Sequence, residues 1–307
     1  MIQLFNINNY VIDTSNFKNI LHDKIVDVFV ENFCKYVGAK FGCAVNSATN
    51  AIFLCLENKN TQVSIPTMIP PVVANAIKLS GNSIKFVDDT SWVGNSYLLK
   101  DFGDYKIIDS AQRVDKDQFL LEANDQDLMI FSFYPTKPVG GIDGGIIVSN
   151  DEEKIKYLKT LSFNGMNFKE NNWDREQSMV GWKMYLNSIQ AYVALNNLQK
   201  LDEKKERLSS IRKKYNNNFN LQNSSDHLFR IDTKNRSYVM SELNNRGIST
   251  GIHYKCLHKN SLFGHQDQIL KDSEIKSDTT LSIPFHEKLT DEEVDYVIDN
   301  VKSLVKN

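Results

Sequence analysis

The stretch 127–150, DLMIFSFYPTKPVGGIDGGIIVSN, limits the possible folds more than any other part of the chain. Leu128-Met129-Ile130-Phe131-Ser132-Phe133 is short, apolar and bounded by turn formers, which suits a buried strand better than a helix. Past it, Gly140, Gly141, Gly144 and Gly145 permit sharp reversal, and Ile146-Ile147-Val148 reads as the next buried strand. Lys137 falls in the loop between the two. A lysine held there in an apolar enclosure can lose its proton and attack a carbonyl. Taken alone, a solvated loop lysine is the simpler reading.

A second feature changes the balance. Tyr105-Lys106-Ile107-Ile108-Asp109 is another short strand pattern with an acid at its C-terminal end, followed by Ser110-Ala111-Gln112. Open parallel sheets bind ligands at the C-terminal ends of their strands. Asp109 and Lys137 can therefore face one ligand from different sides. Pyridoxal phosphate requires that pair: an amine for its aldehyde, and an anion that keeps its ring nitrogen protonated.

A length of 307 residues suits one large domain and one smaller domain sharing a site, with the division expected at 1–205 and 206–307. Lys and Arg total 36 against 38 Asp and Glu, a net charge of -2, so no positive field argues for nucleic acid or an anionic membrane. A small-molecule substrate is the expectation. Cys34, Cys43, Cys55 and Cys256 show no metal-ligand or CxxC spacing, which predicts reduced thiols, no metal and a cytoplasmic setting. Neither a basic-then-apolar leader nor a long uncharged apolar run is present.

Read in order, residues 1–20 carry no clear pattern and are expected over the surface or across a partner subunit. From His22 to Val37 the residues Ile25, Val28, Phe29, Phe33 and Tyr36 share one helical face, with Gly38 placed to end the helix. Phe41 to Asn46 reads as a strand, and Ser47-Ala48-Thr49-Asn50 opens a helix that Ser47 can cap. Such a helix start is an anion site if a phosphate lies nearby, and otherwise only a cap. Strands at Gln62 to Pro66 and Ser83 to Asp88, with a helix from Val72 to Ser80 between them, argue for α/β architecture with a mainly parallel mixed sheet flanked by helices. A helix near Asp151 to Leu161 precedes a polar stretch, Asn164 to Gln177, expected as a loop that helps to set substrate choice. One long helix is expected from Asn187 to Phe219. Strands at His227 to Ile231, Ile248 to Tyr254 and Thr280 to Pro284, a helix from Ser237 to Arg246, and a capping box at Thr290 to Glu293 opening the last helix make a small α+β domain.

Several of these segments, in order, resemble the DegT/DnrJ/StrS group of pyridoxal-phosphate-dependent sugar aminotransferases: FGCAVNSATNAI, the stretch from Ile65 to Gly81, IIDSAQ, SFYPTKPVGGIDGG, GWKMYLNSIQA, IHYKCLH and LSIPFH. The resemblance runs from about His22 onward and implies the aspartate aminotransferase fold, known as fold type I. It implies Lys137 as the Schiff-base lysine and acid/base, Asp109 as partner of the pyridine nitrogen, and Gln112 beside the ring hydroxyl. Ala48, Thr49 and Ser132 match the phosphate-binding positions. Lys183 falls where the family reaches the phosphate from the neighbouring subunit, which implies a homodimer with shared active sites. His253 and Tyr254 align with a segment near the nucleotide-sugar substrate, although by pattern alone they read as half-buried strand.

The chain also departs from the family. Pro70 stands where an aromatic residue stacks on the cofactor, Tyr185 where an arginine is common, and the N-terminus is abbreviated. The implied activity is transfer of an amino group, from an amino-acid donor expected to be glutamate, to a keto group of a nucleotide-linked sugar. The alternatives are a regulatory or cofactor-binding member without turnover, and a sugar dehydratase, which carries histidine where this chain has Lys137.

Overall fold

A computed structural model describes residues 1–167, 175–263 and 268–305. Nine strands are described: β1 (Phe41–Val45), β2 (Gln62–Pro66), β3 (Ser83–Val87), β4 (Tyr97–Asp101), β5 (Lys106–Asp109), β6 (Leu128–Ser132), β7 (Gly145–Ser149), β8 (Phe229–Asp232) and β9 (Thr280–Ile283). The helices are α1 (Ile25–Val37), α2 (Ala48–Leu56), α3 (Pro71–Leu79), α4 (Gln118–Glu122), α5 (Glu152–Ser162), α6 (Ser188–Leu198), α7 (Leu201–Phe219), α8 (Arg236–Asn245), α9 (Lys271–Thr279) and α10 (Asp291–Leu304).

The central sheet has the order β1-β7-β6-β5-β4, with β2 and β3 forming a separate parallel pair. It is mixed, as expected. Its parallel share is smaller than the alternation of strands and helices suggests: β5 and β6 run parallel, but β4 enters as the antiparallel partner of β5, and β7 is antiparallel to both β1 and β6.

Both faces of this sheet are covered, which explains why β6 and β7 are buried at every position. Side chains alternate between the faces. Leu128, Ile130 and Ile147 join the apolar layer of α2, α3 and α5, whereas Met129, Phe131, Ile146 and Val148 join Phe29 and Phe33 of α1 and the inner face of α6. Each such side chain contributes about 1.5–3 kcal/mol when fully buried. Helix α1 ends as expected at Gly38, whose φ of 78° is a conformation that glycine adopts at no steric cost.

A third apolar cluster joins Leu208, Ile211 and Tyr215 of α7 to β8, β9 and α10. The single helix expected from Asn187 to Phe219 is two, because Gln199 and Lys200 interrupt it. The break has a packing reason: α6 faces the sheet, while α7 faces the third cluster, and one straight stripe could not serve both. The strand expected at Ile248 to Tyr254 is absent. In its place are isolated bridges, Ile248 to Ile2 and Gly251 to Ser282.

The chain's first residues are therefore paired within the chain. Ile2 N–H donates to Gly247 O at 2.7 Å, Ser249 N–H to Ile2 O at 2.9 Å, and Phe285 N–H to Leu4 O at 3.3 Å. Of the expected loop at Asn164 to Gln177, residues 168–174 lie outside the described residues. Among the described residues no helix is long and apolar enough to cross a membrane.

Candidate active site

Strand β6 ends at Ser132, and the chain then loops back through 133–144 to β7. The loop is closed by Phe133 N–H donating to Gly144 O and Gly141 N–H donating to Phe133 O, both at 2.8 Å. At Gly140, φ is 65° and a Cβ would stand 2.8 Å from Pro135 O, so this turn requires glycine. From outside, Asn197 Nδ2 donates to Gly140 O, and Lys204 Nζ lies 3.5 Å from Lys137 O. A hydrogen-bonded loop thus presents Lys137 beyond the C-terminal end of β6, the middle strand of the sheet.

Burial pushes the Lys137 ammonium down to about 8, with the Asp109 carboxylate acting in the opposite sense. Asp109, at the end of β5, is 3% exposed, and burial raises its pKa against the pull of its hydrogen bonds and of Lys137. Ala111 N–H donates to its Oδ1 at 2.9 Å, and Tyr97 Oη donates to its Oδ2 at 2.7 Å. The second bond follows from strand register, since Tyr97 on β4 stands opposite Asp109 on β5. Three residues on, Gln112 accepts from Gly94 N–H and donates to Tyr254 Oη, both at 2.8 Å. The Tyr254 ring lies parallel to Trp92, 5.9 Å between centroids, and Trp92 Nε1–H is anchored on Met68 O at 3.2 Å.

The helix start falls beside this pair for a topological reason. Strand pairing sets Val45 opposite Gly145 and Gly145 opposite Ser132, so the first turn of α2 lies against the end of β6. Ser47 Oγ caps it by accepting from Asn50 N–H, and Ala48 and Thr49 open the helix. Their N–H groups are among those a helix leaves without an internal partner, as an anion requires. The approach depends on Gly145, where a Cβ would stand 2.6 Å from Ala48 N and 2.8 Å from Ala48 Cα. Gly145→Ala is expected to destabilise the protein by about 1–3 kcal/mol through overpacking, read by denaturant unfolding. It should also weaken phosphate-dependent ligand binding, and an unchanged protein would refute this account of the cup.

The remaining candidates divide. His253 joins the group: its Nδ1 is 2.8 Å from Ser282 Oγ, and burial together with the Lys137 and Arg230 charges lowers its pKa to about 4. It is therefore neutral near pH 7. Lys183, by contrast, is exposed and acts electrostatically on His22, and the Tyr185 ring packs at a tilt against His22 and Phe163, 4.7 and 5.1 Å between centroids. Within one subunit, neither residue approaches Lys137 through any described contact.

Three residues beside the site went unread in the sequence. Trp92 and Tyr97 lie in a short polar, turn-rich stretch without clear periodicity. His227, buried and held well below the usual imidazole range by burial and by Lys137, was visible only as the first residue of a strand.

A sequence profile of the DegT/DnrJ/EryC1/StrS aminotransferase family matches residues 5–94 and 123–302. The chain belongs to this family. A UDP-4-amino-4,6-dideoxy-N-acetyl-beta-L-altrosamine transaminase of Campylobacter jejuni is 26% identical, over 92% of this chain and 90% of that protein. Among solved structures, Helicobacter pylori PseC, an aminotransferase involved in the biosynthesis of pseudoaminic acid, aligns with a TM-score of 0.80 at 20% identity, covering 99% of each chain. The Spr1654 protein of Streptococcus pneumoniae, solved in a PLP form, aligns with a TM-score of 0.77 at 18% identity, over 95% of this chain and 94% of that one. These structural likenesses establish the fold type I architecture. The family profile leaves out 95–122, the stretch that carries β4, Asp109 and Gln112.

Proposed function

We propose that this family member is a pyridoxal-phosphate-dependent aminotransferase that moves an amino group from an amino acid, glutamate in the first instance, to a keto group of a nucleotide-linked sugar. The observation that carries the reading is Lys137: an enclosed amine whose pKa burial lowers to about 8, in electrostatic reach of a buried carboxylate. A surface lysine has neither property. The donor set fits the cofactor, with an amine for an aldehyde, an anion for a ring nitrogen, and a helix start beside Ser132 for a phosphate. Bound there, pyridoxal phosphate would supply an electrophilic carbon and a ring that accepts electrons.

This chain's residues then have separable tasks. Lys137 Nζ, neutral in a large fraction near pH 8, is the amine that would hold the aldehyde, and the same nitrogen would take up and return the substrate's proton. Asp109 holds negative charge at the ring nitrogen, and Gln112 orients the ring hydroxyl. Ala48, Thr49 and Ser132 hold the phosphate. Lys183 completes that cup from a second subunit, which accounts for its distance from Lys137 within one chain and makes the enzyme a homodimer with shared sites. His253 and Tyr254 face the sugar substrate. The division into a large domain, 1–205, and a small one, 206–307, is part of the same reading, as is a cytoplasmic location. The domain division is supported by the separate apolar cluster that begins at Leu208.

The reading is tested by the visible absorption spectrum of the purified protein with added pyridoxal phosphate. A band is expected to form at a rate that rises with pH through an apparent pKa of about 8, because only the unprotonated Lys137 amine attacks. Excess glutamate should remove the band, and a 2-oxo acid should restore it. A band indifferent to glutamate would refute the donor, and no band at any pH would refute the cofactor.

A further inference from the structure

Asp109 and Gln112 are the two side chains through which the site would meet a pyridine ring, and a phenol of this chain holds each of them. Tyr97 donates to Asp109 Oδ2 at 2.7 Å, and Gln112 Nε2 donates to Tyr254 Oη at 2.8 Å. Asp109 is 3% exposed and Gln112 2%, while Tyr97 and Tyr254, which reach them, are half-buried. Neither ring is loosely placed. Strand register fixes Tyr97 opposite Asp109, its ring 5.1 Å from Trp92, and Tyr254 lies parallel to the same indole.

A phenol and a protonated ring nitrogen each donate a hydrogen to the same kind of acceptor, a carboxylate lone pair. They also fill similar volumes, and a close-packed interior does not hold both in the space of one. We propose that Tyr97 and Tyr254 form a two-phenol gate over the cofactor pocket, so that a pyridine ring reaches Asp109 and Gln112 only by displacing both hydroxyls. Trp92, anchored through Nε1–H to Met68 O, stays behind as the flat face that the entering ring meets. This gives the pocket an aromatic wall although Pro70 supplies none. Tyr97 lies on the β4–β5 hairpin, within the stretch 95–122 that the family profile does not match.

The gate rests on the cofactor reading above and makes a prediction opposite in sign to the obvious one. If Tyr97 only oriented Asp109, removing its hydroxyl would weaken cofactor binding. If it competes for Asp109, removal strengthens binding, because the displaced bond no longer has to be broken. Tyr97→Phe and Tyr254→Phe keep the rings and delete only the hydroxyls, so packing against Trp92 is retained.

The experiment titrates wild type and both variants with pyridoxal phosphate, followed by visible absorption, and with pyridoxamine phosphate, followed by tryptophan fluorescence. A Trp92→Phe protein identifies the fluorescence signal that belongs to the indole wall. Tyr97→Phe is expected to bind both probes about tenfold more tightly, the size of one charge-assisted hydrogen bond, and Tyr254→Phe by about threefold, since its partner is a neutral amide. A wild type that binds while Tyr97→Phe binds equally or more weakly overturns the gate and leaves the cofactor reading standing. Failure of every protein to respond to either probe overturns the cofactor reading and the gate with it.

Discussion

Lys137→Ala is expected to lose the visible band with pyridoxal phosphate and to lower turnover by about three orders of magnitude or more, with the unfolding transition little changed. The fold should survive because the loop is held by backbone and neighbouring groups: the Phe133–Gly144 and Phe133–Gly141 bonds, and Asn197 on Gly140 O. The lysine side chain carries none of these. Removing an ammonium whose pKa burial has lowered also relieves a desolvation penalty, so stability should hold or rise slightly near pH 7. A variant that folds and keeps its rate would remove Lys137 from the chemistry.

Asp109→Asn is the second large effect, expected at about 10²–10³-fold in turnover, the range seen when one preorganised electrostatic partner is removed from a closed site. Asparagine is the informative substitution because it keeps shape and can keep both bonds. Its Oδ1 can accept from Ala111 N–H, and the Tyr97 hydroxyl, which accepts as well as donates, can turn to receive Nδ2–H. What is lost is the negative charge facing Lys137 and any cationic ring nitrogen. Steady-state rates alongside a denaturant titration separate the two: a fall in both rate and stability would mean that the carboxylate serves packing, whereas a fall in rate alone assigns it to the reaction.

Much of this was legible in the sequence for identifiable reasons. Strands β6 and β7 were readable because burial on both faces leaves an unbroken apolar run, and α1 and α10 because an amphipathic stripe and a cap, Gly38 or Thr290, mark their ends. Lys137 and Asp109 were readable as candidates because each follows or ends such a run. The hairpin strand β4 was not, since Tyr97-Leu98-Leu99-Lys100-Asp101 shows mixed exposure with only Leu99 buried, and neither alternation nor continuity marks it. The interruption at Gln199 and Lys200 was hidden for the opposite reason: both flanking stretches are good helix formers, and only their different packing partners separate them. Lys183 was a candidate only through the family resemblance; its bridge to Phe163 and its charge beside His22 carry no sign of a ligand.

The pairing of Ile2 and Leu4 with Gly247, Ser249 and Phe285 has a consequence for how the protein is made. On the ribosome, residues 2–5 emerge well before their hydrogen-bonding partners at 247, 249 and 285. The sheet carrying Lys137 can close while synthesis continues, whereas this edge must wait, its backbone groups satisfied by water or by helper proteins. Because Phe5 also stacks on His227 and meets His253, 5.7 Å from each, the same late pairing closes the wall beside the lysine. Nascent chains should therefore acquire a folded sheet before they acquire an enclosed amine.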